Sequence, residues 1–197
     1  MRELKKGSAI FVTGTPGTGK TAVSRALAKA IHARYVNPAE LLNREHSKLK
    51  YDRKRRTKIV SPRTLRNAVA SQAKRIGQGL VIDSHIIFEL PSSIRIKRAF
   101  VLRCRPDSLE ERLKHKHWTR QKIRENSLAE ILDICLWDAV ENYGRRKVSE
   151  IDTTEMGPSA VVELALRQLN GRRARTQHKV DWLSTLENEG KLDYYLA

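Results

Sequence analysis

Short β-prone runs alternate along the chain with segments of helical apolar spacing. Ser8 to Thr13 (SAIFVT) is the first run, closed by Gly14. Behind it Val23, Leu27, Ala30 and Ile31 recur at helical spacing between Thr21 and Ala33. Arg34 to Asn37 reads as a second strand, and Pro38 opens a short helix that carries Leu41 and Leu42. Residues 47–58 are polar and basic, which predicts an excursion from the core. Ser61 is placed to cap a helix with Pro62 at its first position, running to Ile76, with Gly77 and Gly79 beyond it. Leu80 to Asp83 is a continuous apolar run closed by an acid, as expected of a buried parallel strand. Arg98 to Cys104 (RAFVLRC) is another strand, and a helix from Pro106 and Asp107 passes through Leu109 and Leu113. The pattern then predicts one long helix from Trp118–Thr119 to near Gly144, a strand over Ser149 to Thr153, and a helix over Pro158 to Leu169.

Strands alternating with helices predict an α/β domain with a parallel sheet covered on both faces. After Gly171 the composition changes. A basic link (Arg172, Arg173, Arg175) leads to a segment with Trp182, Leu183, Leu186 and Leu192, read as an appended helix. The expected division is a core over 1–171 and an extension over 172–197.

The chemistry is concentrated in Gly14-Thr15-Pro16-Gly17-Thr18-Gly19-Lys20-Thr21, which matches G-x-x-x-x-G-K-[ST] between a strand and a helix. A chance match in a chain of this size is on the order of one in a hundred at ordinary glycine usage. Glycines at 14, 17 and 19 let the backbone turn its N–H groups towards phosphate oxygens. The helix behind adds its positive end. Lys20 is placed for the β- and γ-phosphates of ATP, and Thr21 for magnesium. Gly17, Thr18, Gly19 and Ala22 complete the expected ATP contacts. Asp83, at the end of a neighbouring strand, is the candidate acid that holds magnesium through water; a solvated strand-end acid is the alternative. His85 is a candidate to position water or a phosphate oxygen, against the alternative of an ordinary loop histidine. The cluster Lys114 to Lys122 lies between two helices where a lid would close over the triphosphate, or else forms a basic solvated face. His115 and His117 are not read as a metal site.

The chain has 197 residues, which fits one domain with a short appendage. Thirty-nine Lys and Arg stand against 22 Asp and Glu, a net charge of +17. That balance points to an anionic partner larger than a nucleotide, RNA or a ribonucleoprotein first; a basic enzyme without a polymer partner is the alternative. Cys104 and Cys135 have no metal-ligand spacing and are read as buried free thiols, which points to a reducing compartment such as the cytoplasm, or the nucleus in a eukaryote. Neither a signal peptide nor an apolar stretch of membrane-spanning length is read in the chain.

These residues resemble the adenylate kinase isoenzyme 6 family, the CINAP-like adenylate kinases and ATPases of small ribosomal subunit maturation, in an archaeal-type form. The resemblance covers residues 8–170 and rests on the phosphate loop, Tyr51-Asp52, Val81-Ile82-Asp83-Ser84-His85, Phe100-Val101-Leu102-Arg103, Glu111-Arg112-Leu113 and Ile151-Asp152-Thr153-Thr154. It implies a nucleoside monophosphate kinase-type P-loop fold. That fold has a five-stranded parallel sheet, a monophosphate segment near 37–60 and a short lid near 115–125. It also implies phosphoryl transfer from Mg·ATP to AMP, ATPase activity, and a platform ribosomal protein and ribosomal RNA as partners. Asp83 and His85 match the positions that serve magnesium and water, and Lys116 falls at the lid arginine. Asn43 aligns with an AMP-site arginine, with Arg44 one place off. The segment from Asp52 to Thr57 is basic where the family is usually acidic. These departures predict AMP as a usable but poor acceptor. The competing readings are a nucleotide-driven assembly factor and a kinase for another small acceptor.

Overall fold

The structure is a computed structural model that describes residues 3–44, 50–52, 57–171 and 180–196. Its centre is β1 (Ser8–Gly14), buried at every position because both of its faces are covered. Around it β2 (Arg34–Val36), β5 (Leu80–Asp83), β6 (Arg95–Arg103) and β7 (Val148–Asp152) complete a parallel sheet of order β2-β5-β1-β6-β7. The expected five-stranded sheet is therefore present.

The alternation along β1 feeds two cores. Ala9 and Phe11 face α3 (Pro62–Arg75) and α6 (Ile134–Tyr143), through Leu65, Val69, Leu136 and Ala139. Ile10 and Val12 face α1 (Lys20–Ala30) and α7 (Pro158–Leu169), through Val23, Leu27, Val161 and Ala165. Phe11 sits 5.4 Å from the rings of both Phe88 and Tyr143. Truncating such a buried aromatic to alanine costs about 3–5 kcal/mol. α3 begins as its residues predict: Ser61 accepts a hydrogen bond from the Thr64 N–H at 3.1 Å, and Pro62 takes the first turn.

Three expectations are corrected. Residues 118–144 form two helices, α5 (Arg120–Ile131) and α6, because Asp133 adopts φ 57°. That left-handed residue turns its carboxylate onto the buried Arg103. β6 starts at Arg95, three residues early, since the Arg95 N–H donates to the Gly7 carbonyl at 2.8 Å. The extension holds two short helices rather than one, α8 (Trp182–Asn188) and α9 (Leu192–Leu196), parted by Gly190 at φ 66°.

Between α2 (Pro38–Arg44) and α3, the strands β3 (Lys50–Asp52) and β4 (Thr57–Ile59) pair as an antiparallel hairpin outside the main sheet. The basic run Arg53 to Arg56 and the link Arg172 to Arg175 lie outside the described residues. α4 (Pro106–Lys114) precedes α5, and the two pack through Leu109, Leu113 and Ile123 over Cys104. No helix among the described residues is long and apolar enough to cross a membrane.

Candidate active site

The phosphate loop needs glycine at specific points. At Gly14 (φ 136°) a β-carbon would lie 2.2 Å from the Leu102 carbonyl oxygen. At Gly17 (φ 101°) it would lie 2.7 Å from the Leu109 Cδ1. The loop closes on the Thr15 carbonyl, which accepts from the Thr18 N–H at 3.2 Å, the Thr18 hydroxyl at 2.9 Å and the Lys20 ammonium at 3.1 Å. α1 then points its positive end at the loop. Burial lowers the Lys20 pKa below the usual lysine value, while the nearby Asp83 and Glu130 carboxylates act in the opposite sense.

Asp83 ends β5 and is 2% exposed. Its Oδ2 accepts from the Thr21 hydroxyl at 2.8 Å, the Tyr35 hydroxyl at 2.9 Å and the Asn37 amide at 3.3 Å. The Thr21 hydroxyl and the Asp83 carboxylate thus present paired hard oxygen donors beside a phosphate-binding loop. That donor set fits magnesium.

These groups open into a cleft of about 1090 Å³. Gly17, Gly19, Lys20, Thr21 and Ala22 line it from the loop. Asp83 and His85 line it from the end of β5, and Asn43 from α2. Lys116 and Trp118 line it from the turn between α4 and α5. Thr18 points inward instead: it is 1% exposed, and its carbonyl accepts from the Thr153 hydroxyl at 3.1 Å. Arg44 ends α2, but its side chain lies outside the described residues. His85 keeps solvent contact at the cleft edge; the enclosing walls and then the Lys20 charge lower its pKa. The stretch expected as a lid is a tight turn over residues 115–119, with His117 at φ 56°, and α5 takes up the rest.

Arg25 and Glu130 carry no motif, whereas Trp118 falls in the Lys114–Lys122 cluster expected as a lid and Arg103 in the Phe100–Arg103 stretch of the family resemblance. Arg25 lies one turn after Thr21 on α1 and lines the cleft, 5.0 Å from the Tyr35 ring centre and 3.6 Å from Glu40. Trp118 lines the cleft while Lys122 sits 5.7 Å over its ring. Beneath the loop, Glu130 is 2% exposed. Its Oε2 accepts from the Thr15 hydroxyl at 2.5 Å. Its Oε1 accepts from the Arg103 Nε at 2.8 Å, the Cys104 N–H at 3.0 Å and the Trp182 indole N–H at 3.2 Å. Arg103 is 1% exposed and also donates to Glu150 at 2.9 Å and to Asp133. Burial works against its charge, yet Glu130 and Asp133 outweigh that and raise its pKa. Helical periodicity places Glu130 on α5, and the packing of α5 beneath the loop brings it to Thr15, 115 positions away in sequence.

A family model described as an AAA domain matches residues 10–133, which contain the loop and most of the cleft. A protein of Natronomonas pharaonis named "putative adenylate kinase" is 36% identical over 90% of this chain and 99% of its own length. Proteins of the same name from Archaeoglobus fulgidus and Pyrococcus furiosus are 35% and 34% identical, over 91% and 90% of this chain and 94% and 93% of theirs. The chain belongs to this archaeal adenylate kinase family. Among solved structures, a gluconokinase from Sinorhizobium meliloti 1021 superposes with a TM-score of 0.53 at 17% identity, over 85% of this chain and 94% of that one. A shikimate kinase from Bacteroides thetaiotaomicron does so at 0.53 and 16%, over 83% and 98%. At those identities the likeness is one of fold: a P-loop kinase-type α/β domain. The family thus makes the chain a kinase of the nucleoside monophosphate type.

Proposed function

We propose that the protein transfers the γ-phosphoryl group of Mg·ATP to AMP and, in parallel, to water. The observation that carries this reading is the shared cleft: the loop with Lys20, the Thr21–Asp83 oxygen pair, and an acceptor wall of α1, α2 and α3 enclose one space. Its volume of about 1090 Å³ stands at the top of the roughly 300–1,000 Å³ range of small-ligand pockets, and its walls lie on both sides of the loop, which suits a donor and an acceptor side by side.

Gly17, Gly19 and Ala22 offer the loop and first helical turn to the phosphates of ATP, with Thr18 shaping the loop from inside. Lys20 exchanges the Thr15 carbonyl for a phosphate oxygen, a stronger, charge-assisted acceptor. Thr21 would hold magnesium, with Asp83 acting through water; the ion would neutralise charge on the β- and γ-phosphates. Trp118 offers a flat face for the purine, and Lys116 a cation over the triphosphate. In the acceptor half, Asn43 and the adjoining Arg44 meet the AMP phosphate, and Arg25 supplies a guanidinium at its edge. Asn43 cannot match an arginine's bidentate grip, so AMP is a usable but poor acceptor. His85, facing the same space as Lys20, orients water for the competing hydrolysis.

That hydrolysis supports a second reading, of the CINAP-like kind: an ATPase that acts in small-subunit maturation, with ribosomal RNA and a platform ribosomal protein as partners in a reducing compartment. The net charge of +17 supports it, since a free nucleotide needs only a few cations. Coupled assays with AMP, with other nucleoside monophosphates and without acceptor separate the readings. ADP formation stimulated by AMP above every other monophosphate is expected. Equal rates with and without AMP would leave an ATPase.

A further inference from the structure

All five parallel strands start at the end of the sheet opposite the cleft, and that end is lined with cations. β6 opens on Arg95 and Lys97, and β7 follows the 3-10 turn Arg145–Lys147. The Arg98 guanidinium donates to the Arg146 carbonyl at 3.0 Å, so these two segments meet. Across the rest of the edge, Lys5 and Lys6 precede β1 and Arg34 opens β2. Backbone bonds join the row: Arg34 N–H to Gly79 carbonyl, Gly79 N–H to Leu4 carbonyl, and Arg95 N–H to Gly7 carbonyl, each at 2.8 Å. With strands about 4.8 Å apart, the row spans about 20 Å.

Two ordinary explanations fall short. Cations complementing helix dipoles account for Lys74 and Arg75 in the last turn of α3. They also reach Arg145–Lys147, which follow directly on the C-terminus of α6, but not Lys5, Lys6, Arg95 and Lys97, whose strands have no helix end just before them in sequence. Ion pairing does not account for them either. Arg34, Arg95, Lys97, Arg145, Arg146 and Lys147 are exposed, and none makes a close ion pair among the described residues; Glu150 acts on Arg145 at longer range, and Glu3 shares a shallow pocket with Lys97, leaving the rest of the row without an acid. Nor can they serve the nucleotide, which binds at the carboxyl ends of the strands about 20 Å away.

We propose that this edge docks the phosphodiester backbone of a structured RNA, on a surface separate from the catalytic cleft. The occupant follows from charge and shape. A duplex carries about one charge per 1.7 Å of axis with both strands counted, so the row runs beside a stretch of about a dozen phosphates and faces those on its near side. The row consists of strand starts and a turn, not the projecting helix or ribbon that reads DNA in its major groove; RNA duplexes are recognised by shape and backbone. The inference rests on the polyanionic partner proposed above and gives it a location.

The test is fluorescence anisotropy of a labelled RNA hairpin with the full chain at about 50 and 200 mM salt. R95E/K97E/R146E should lose at least about tenfold in affinity at the lower salt, and its log–log salt slope should fall by about three. K5E/K6E, at another point of the edge, should weaken binding in the same direction. Both variants should bind Mg·ATP by calorimetry as wild type does, and saturating Mg·ATP should not displace the RNA. The proposal is overturned by no wild-type binding at the lower salt, by unchanged affinity in both variants, by displacement with Mg·ATP, or by tighter binding to anionic phospholipid vesicles. Failure of AMP phosphorylation would overturn the kinase reading and leave these results standing.

Discussion

The Lys20 ammonium rests on a neutral acceptor, the Thr15 carbonyl at 3.1 Å, so a phosphate has little to displace. Lys20→Ala should retain the far-ultraviolet spectrum and melting behaviour of the wild type but lose at least about a hundredfold in turnover, on the scale of one preorganised charge contact. Near-wild-type turnover in the folded variant would refute its role. Asp83→Asn and His85→Ala should separate. The first disturbs an acceptor that collects three donors, and should lower both AMP-dependent and AMP-independent ADP formation while raising the magnesium requirement. The second should lower the AMP-independent rate chiefly. Equal small effects on both rates would return His85 to an ordinary loop residue. At this scale the loop is legible in the sequence because glycines at 14, 17 and 19 answer backbone needs that no other residue meets. Arg25 is not legible in that way: it belongs to no local pattern, and its place in the cleft depends on how α1 packs. Trp118 falls in the cluster expected as a lid, but its place against the cleft depends on the turn before α5.

Glu130 is one of several groups that tie the elements around the loop to the extension, beside the Arg105–Glu189 ion pair and the Tyr194 hydroxyl on Glu110. Glu130 joins the Thr15 hydroxyl, Arg103 and the Trp182 indole, and α8 packs through Trp182 and Leu186 on Ile131. Trp182→Phe keeps an aromatic ring there but removes a hydrogen bond to a charged group, worth about 1.5–3 kcal/mol. It should lower the denaturation midpoint and raise the KM for ATP several-fold with kcat little changed. An unchanged KM would mean that α8 packs beside the loop without supporting it. Most strands and helices were legible from their periods, because a two-sided core imposes them. The break between α5 and α6 was not, since neither glycine nor proline marks it. Asp133 takes a left-handed conformation where the buried Arg103 accommodates its carboxylate, a partner distant in sequence. The early start of β6 had the same cause, a backbone bond to Gly7 beyond any local signal.

Over the whole molecule, the sheet carries the phosphate loop and Asp83 at its carboxyl end and a row of cations along its amino end. Net charge was legible from composition, but its placement needed the strand order. The same order brings β5 beside β1, so that Asp83 meets Thr21 across 62 positions of sequence. On this reading the meeting point serves phosphoryl transfer to AMP and not hydrolysis alone. Following a γ-labelled phosphate of Mg·ATP in the presence of AMP separates the two. The label should appear as the β-phosphate of newly formed ADP, require magnesium, and vanish from that product in Lys20→Ala. Label recovered only as inorganic phosphate, with AMP unconsumed, would contradict it.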